Sequence, residues 1–180
     1  MKLLLDHVAS PLGTILLVSD GEALRALDFS DYEARMHRFL RLHYSSCELS
    51  PASDATLFRR DIQAYFDGDL TVLDRVPVRT GGTAFQNLVW AALRQIPAAM
   101  TSTYGRLAAQ IGRPKAYRAV GLANGANPVG IVVPCHRVIG ADASLTGYGG
   151  GLDRKRWLLD HEQRHAGPGW VQHGAAQAAQ

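Results

Sequence analysis

Apolar positions fall in short β-type blocks over the first thirty residues and then switch to a helical period. Residues 2–8, 14–19 and 23–29 each read as a strand, with Ser10-Pro11-Leu12-Gly13 as a turn between the first two. A small antiparallel sheet is expected. Ser30 and Glu33 stand at capping-box spacing, and Met36, Phe39, Leu40 and His43 continue as one helical stripe. A second helix is expected from Asp54, its N-cap, to Phe66, with Phe58, Ile62, Tyr65 and Phe66 on one face and Gly68 as its stop. Residues 69–80 read as an extended linker ending at Gly81-Gly82.

Thr83 and Gln86 form a second capping box, opening a helix that buries Phe85, Val89, Leu93 and Ile96 and ends at Pro97. Trp90 beside this stripe reads as core. Two short helices follow, 103–111 closed by Gly112 and 115–123 opened by Pro114, with the spacing of a helix-turn-helix. The second is rich in small residues, Ala116, Ala119, Gly121 and Ala123, which suits close approach to a groove or to another helix. Residues 130–133 read as a buried strand stopped by Pro134, and 147–151 as a loop. A last helix from 152 or 153 to 161 buries Leu158, with Trp157 or Leu159 alongside. The chain beyond it has no periodicity and is expected to be disordered. The fold class is therefore α+β. Residues 1–80 form a small α/β domain, 81–163 a mainly helical domain carrying the helix-turn-helix, and 164–180 a tail.

Composition narrows the classes. The 180 residues are 47% apolar, ordinary for a globular chain with a real core. No run reaches the roughly 18–20 apolar residues of a membrane span. The apolar start is too short for a secretory signal, so a cytoplasmic protein is expected. Cys47 and Cys135 are expected to be free thiols there. Residues 1–80 carry 9 Lys/Arg against 12 Asp/Glu, whereas 81–180 carry 10 against 4. The basic half faces a polyanion more readily, although an uneven solvated surface would read the same.

That half also holds the chemistry. Pro134 is followed by a thiol, an imidazole and a guanidinium: Cys135, His136 and Arg137. A soft nucleophile, a proton acceptor and an anion binder at the mouth of a rigid segment make a reactive centre. A free thiol titrates near ~8.5, so a base or positive field must make thiolate at neutral pH. The expectation is a sulfur kept anionic by the ring beside it. Adjacent residues of a strand point to opposite faces, so contact requires either a turn or a bridging water.

The run Asn127-Pro128, Pro134-Cys135-His136-Arg137-Val138 and Gly147-Tyr148-Gly149-Gly150-Gly151 resembles the acceptor site of the methylated-DNA–protein-cysteine methyltransferases, over residues 83–162. The first eighty residues resemble the bacterial members more loosely. The resemblance implies DNA repair by direct reversal. Cys135 would take the alkyl group of 6-O-alkylguanine, with 4-O-alkylthymine a further candidate substrate. A stable thioether would form and the protein would react once. It implies a relay from Cys135 through water to His136, with Glu162 on the far ring nitrogen, and Tyr104 supplying a proton to the leaving base. Duplex DNA is the implied partner, entered from the minor groove without sequence preference. Arg118 would fill the hole left by a flipped nucleotide. Asn127 would tie the recognition helix to the active-site turn, and the Val138 carbonyl would read the guanine amino group. Tyr148 would form a pocket wall, Gly149 and Gly150 a backbone facing the lesion, and Arg137 a structural ion pair. No cofactor and no metal are implied. A monomer is expected, with cooperative binding along DNA left open.

Two positions depart from the family pattern. Ala99 stands where glycine is usual, which predicts a different turn. Gly149 stands where some members carry serine, which predicts a roomier pocket. His37, His43 and Cys47 share a spacing that suggests a metal only weakly. The lack of a four-cysteine zinc module excludes the phosphotriester-sensing regulator. Three alternatives predict different behaviour: a lesion binder without chemistry, a sequence-specific regulator without reactivity, and a cysteine hydrolase that turns over.

Overall fold

The computed structural model describes residues 1–52 and 57–167. Strands β1 (Lys2–Val8), β2 (Ile15–Ser19) and β3 (Leu24–Phe29) form an antiparallel meander. β2 is central and buried along its whole length, because both faces of the sheet are covered. Its side chains divide with the period of two that a strand imposes. Leu16 and Val18 turn to helix α1 (Glu33–Tyr44), where Met36 and Leu40 wait, while Ile15 and Leu17 enter the larger core shared with the C-terminal half.

Several sequence expectations change here. A fourth strand, β4 (Glu48–Pro51), pairs parallel to β1, giving the order β3-β2-β1-β4. Its four residues are too few and too polar to announce a strand. Ser30 does not cap α1. Residues 30–32 form a tight turn, Tyr32 holds the cap position, and no side chain bonds there. The Asp54 cap lies outside the described residues; helix α2 is seen over Leu57–Phe66. Residues 69–80 are not a free linker. Leu70, Val72, Leu73 and Val76 are buried, and Leu24 of β3 bonds Pro77 O and Arg79 N (2.9 and 3.0 Å). The apolar content of that segment outweighed its turn residues.

Helix α3 (Ala84–Leu93) opens with both capping-box bonds in place, Gln86 N to Thr83 Oγ1 at 3.2 Å and Thr83 N to Gln86 Oε1 at 2.9 Å. Trp90 is core, and its indole donates to Ala123 O at 2.8 Å, tying α3 to helix α5 (Tyr117–Gly125). Helix α4 (Tyr104–Gln110) is capped by Thr103, whose residue pair β5 (Ser102–Thr103) runs parallel to β6 (Val138–Ile139). Neither two-residue strand was foreseen. Helix α6 spans Leu152–His165, so it runs past its expected end and takes up the first two residues assigned to the tail. Residues from 168 on are not described. No helix among the described residues is long and apolar enough to cross a membrane.

The expected strand at 130–133 is a chain of turns. Ile131, Val132 and Val133 are buried as an apolar run should be, but the amides of Val132 and Val133 are satisfied locally. Val132 N bonds Gly130 O at 2.7 Å, Val133 N bonds Val129 O at 3.0 Å, and Cys135 N bonds Val133 O at 2.8 Å. The available sheet edge is spent on one residue: Leu27 of β3 bonds Pro128 O and Gly130 N at 2.9 and 3.1 Å. Periodicity cannot separate a buried strand from buried turns in so short a run.

Candidate active site

Three consecutive residues, Cys135, His136 and Arg137, form a single tight helical turn after Pro134, and all three are buried. The turn removes the opposite-face difficulty of an extended chain. Glu162, fully buried on α6, receives the rest of the cluster. His136 Nε2 lies 2.8 Å from Glu162 Oε1, Arg137 Nη2 donates to the same oxygen at 2.9 Å, and Ala99 N donates to Oε2 at 2.9 Å. Arg137 also donates to Ile96 O at 2.6 Å.

Burial alone would raise the Glu162 carboxyl, yet His136 and Arg137 hold it well below the carboxylate range. An ionised Glu162 only accepts, so His136 Nε2 carries the ring proton and Nδ1 is the acceptor. Nδ1 is buried and has no hydrogen-bond partner among the described residues. Burial pushes the imidazole down, against the pull of Glu162, which favours the neutral ring. Burial likewise pushes the Cys135 thiol up. A hydrogen bond from Asn127 and the charges of Lys155 and Arg35 act the other way. Dry surroundings thus work against a resting thiolate and favour a neutral thiol beside a neutral ring.

Asn127 grips the turn from the other side. Its Nδ2 donates to Val133 O at 2.8 Å and approaches Cys135 Sγ at 3.1 Å, while its Oδ1 accepts from Val129 N at 3.0 Å. Tyr148, Gly149 and Gly150 line the small cavity that contains Cys135, and the Tyr148 ring stands edge-on to His136. Val138 O lies outside that cavity and accepts from Lys155 Nζ at 2.6 Å. Tyr104 bonds Thr146 Oγ1 at 3.0 Å and does not line the cavity. Arg118 is exposed on α5, near the Tyr117 ring.

The departures from the family pattern have visible consequences. Ala99 adopts φ +61°, a conformation glycine takes without cost, and this turn aims its amide at Glu162. The predicted roominess at Gly149 is absent. A Cβ there would meet the guanidinium of Arg35, which fills that space. His37 pairs with Glu33 at 3.5 Å and His43 packs near Phe39, Tyr44 and Trp90. Among the described residues no three metal-type ligands converge.

Sequence reasoning missed the contribution of the first half. Leu27, Asp28, Phe29 and Arg35 line the Cys135 cavity, and Arg35 joins Asp28 (2.5 Å) to the Gly149 carbonyl. It also missed Lys155, wholly buried, donating to Val138 O and Thr146 O at 2.6 and 2.7 Å, its ammonium lowered by burial to about 8. A signal existed. Lys155, Leu158 and Glu162 stand at i, i+3 and i+7, one face of one helix.

Comparison with known proteins gives a uniform result. The model of the 6-O-methylguanine DNA methyltransferase DNA binding domain matches residues 84–164, and that of its ribonuclease-like domain matches residues 4–80. A methylated-DNA–protein-cysteine methyltransferase of Salmonella typhimurium is 49% identical over 165 residues, 90% of this chain and 96% of the relative. One from Methanosarcina barkeri is 43% identical over 166 residues, 89% and 97% of the two chains. The crystal structure of Mycobacterium tuberculosis OGT in complex with DNA matches with a TM-score of 0.77 at 42% identity, covering 92% and 95%.

Proposed function

The chain belongs to the methylated-DNA–protein-cysteine methyltransferase family and is a DNA-repair methyltransferase; on that premise we propose that it works once, moving an alkyl group from 6-O-alkylguanine to Cys135. The observation that carries this reading is the buried His136–Glu162 pair beside Cys135, 2.8 Å between Nε2 and Oε1, with His136 Nδ1 buried and unpartnered among the described residues, ready to accept a proton. Cys135 gives its proton to His136 through one water, and Glu162 steadies the imidazolium. The thiolate attacks the alkyl carbon in line, a carbon–sulfur bond forms, and the carbon–oxygen bond to the base breaks. The departing guanine takes a proton from Tyr104. Release of the thioether has no partner here, since Cys47 offers only disulfide chemistry.

A cavity of about 20 Å³ around Cys135 holds about one water and no purine. Binding therefore requires the Gly149–Gly150 wall and Arg35 to separate while the nucleotide rotates out of the duplex. In this reading α5 enters the minor groove, Arg118 occupies the gap, and recognition runs through phosphates and deformability. Exposed Tyr117 and Leu122 on the same helix, 49% and 78% accessible, support a face kept for a partner. Asn127 holds the Cys135 turn against α5, Tyr148, Gly149 and Gly150 wall the base, and the Val138 carbonyl reads its amino group. Arg137 acts as a structural counter-ion. We read residues 1–80 and 81–163 as two domains sharing one core, the protein as a monomer on DNA, and its place of action as the reducing cytoplasm, where Cys135 stays free.

The test is stoichiometric. Duplex carrying labelled 6-O-methylguanine should deliver label to the protein up to one methyl per chain and no further. Release of label beyond that level, as a hydrolase would give, contradicts the reading.

A further inference from the structure

Glu162 accepts one more hydrogen bond, and it comes from the other half of the chain. Tyr65, on α2, is fully buried, and its hydroxyl donates to Glu162 Oε1 at 2.9 Å, the same oxygen that holds His136 at 2.8 Å. The phenol is locked in place by its own neighbours. Tyr65 O bonds His161 Nε2 at 2.8 Å, and the ring packs edge-on against Phe66 and His161 at 5.3 and 5.2 Å. Helices α2 and α6 are thus joined by two hydrogen bonds at one residue, one of which ends on the carboxylate behind His136.

A carboxylate oxygen shared by several donors pulls less strongly on each. We propose that Tyr65 is a positioning residue of the relay, whose hydroxyl sets, from the N-terminal half, how strongly Glu162 holds a proton on His136. Burial and the nearby Glu162 charge push the Tyr65 phenol well above its ordinary range, so it serves as a donor throughout the neutral region. The other groups facing Tyr65, Glu162 and His136 are Arg137 on the turn, Lys155 and His161 on α6, and Tyr148 on the loop. The N-terminal half would then tune the chemistry as well as wall the cavity.

Tyr65→Phe removes the donor and keeps the ring. Glu162 becomes more basic and holds the imidazolium more firmly, so the His136 titration midpoint should rise by about 0.5 to 1 pH unit. Nitrogen-15 spectra of the imidazoles in the full chain read this directly, without any DNA. A 3,5-difluorotyrosine at position 65 is a stronger donor and should move the midpoint down. In single-turnover methyl transfer, the acid limb of the pH–rate profile should follow each shift; a merely structural Tyr65 would change rates without moving that limb. This kinetic arm rests on the alkyl-transfer reading, whereas the spectroscopic arm does not. A midpoint that moves in a protein unable to transfer methyl supports the tuning and sinks the proposed function instead. An unmoved His136 midpoint in both folded proteins overturns the proposal, and the fluorinated protein keeps it testable should the phenylalanine variant fail to fold.

Discussion

Behind Cys135 and in front of it the molecule is built by opposite rules. Behind it, His136, Arg137 and Glu162 are buried ionisable groups that hold one another in place, and buried Lys155 is held by the Val138 and Thr146 carbonyls. In front, α5 presents Tyr117, Arg118 and Leu122 to solvent with no comparable packing. Buried charge is tolerated only where every member is paired, so the rear cluster couples stability to chemistry. The front face is free to serve a ligand, because changing it costs the fold almost nothing. Substitutions should therefore sort by region, with rear changes striking fold and reaction together and front changes striking only the engagement of DNA.

Cys135→Ser gives the largest effect and isolates the sulfur itself. The variant should bind lesion-bearing duplex in a gel-shift titration as the parent does and transfer no methyl. Glu162→Gln comes next and probes the rear. It leaves Arg137 buried beside a neutral amide, so denaturant unfolding should show a loss of about 3 kcal/mol. Transfer should also slow by roughly 10²-fold or more as the imidazolium loses its support. The same carboxylate predicts a pH signature. Its folded value is depressed below 4.5, so its contribution is fully present above that value and lost as pH falls through the folded value. Unfolding free energies measured down through the acid range should fall less steeply in Glu162→Gln than in the parent.

Arg118→Ala tests the front. Stability should stay within about 0.5 kcal/mol, while transfer from duplex drops and transfer from a free alkylated base does not. Equal losses in the two assays would erase the distinction between the regions. The smallest effect belongs to the turn at Ala99, where φ is +61°. Ala99→Gly should stabilise by about 0.5 to 1 kcal/mol in thermal melts, since glycine relieves a left-handed alanine.

The same division explains what could be read in advance. Local rules were legible wherever neighbours in sequence settle the matter. The Thr83–Gln86 box, the Phe85–Leu93 stripe and the order of the two short helices are of this kind. The run at 134–137 announced its chemistry because three reactive side chains stand together. What failed depended on distant partners. The 130–133 run folds as turns because Leu27, a hundred residues earlier, takes its edge hydrogen bonds. Arg35 and Tyr65 enter the site only through contacts with Gly149 and Glu162, which no local pattern encodes. Lys155 was hidden by its charged neighbours, although its helical register with Glu162 was in plain sight.

The central claim is tested most directly by peptide mass mapping of the folded, reduced protein after exposure to duplex containing 6-O-methylguanine. The account predicts a single added methyl, confined to the peptide holding Cys135 and reaching every chain when lesion is in excess. A Cys135 peptide that remains unmodified under those conditions would contradict it.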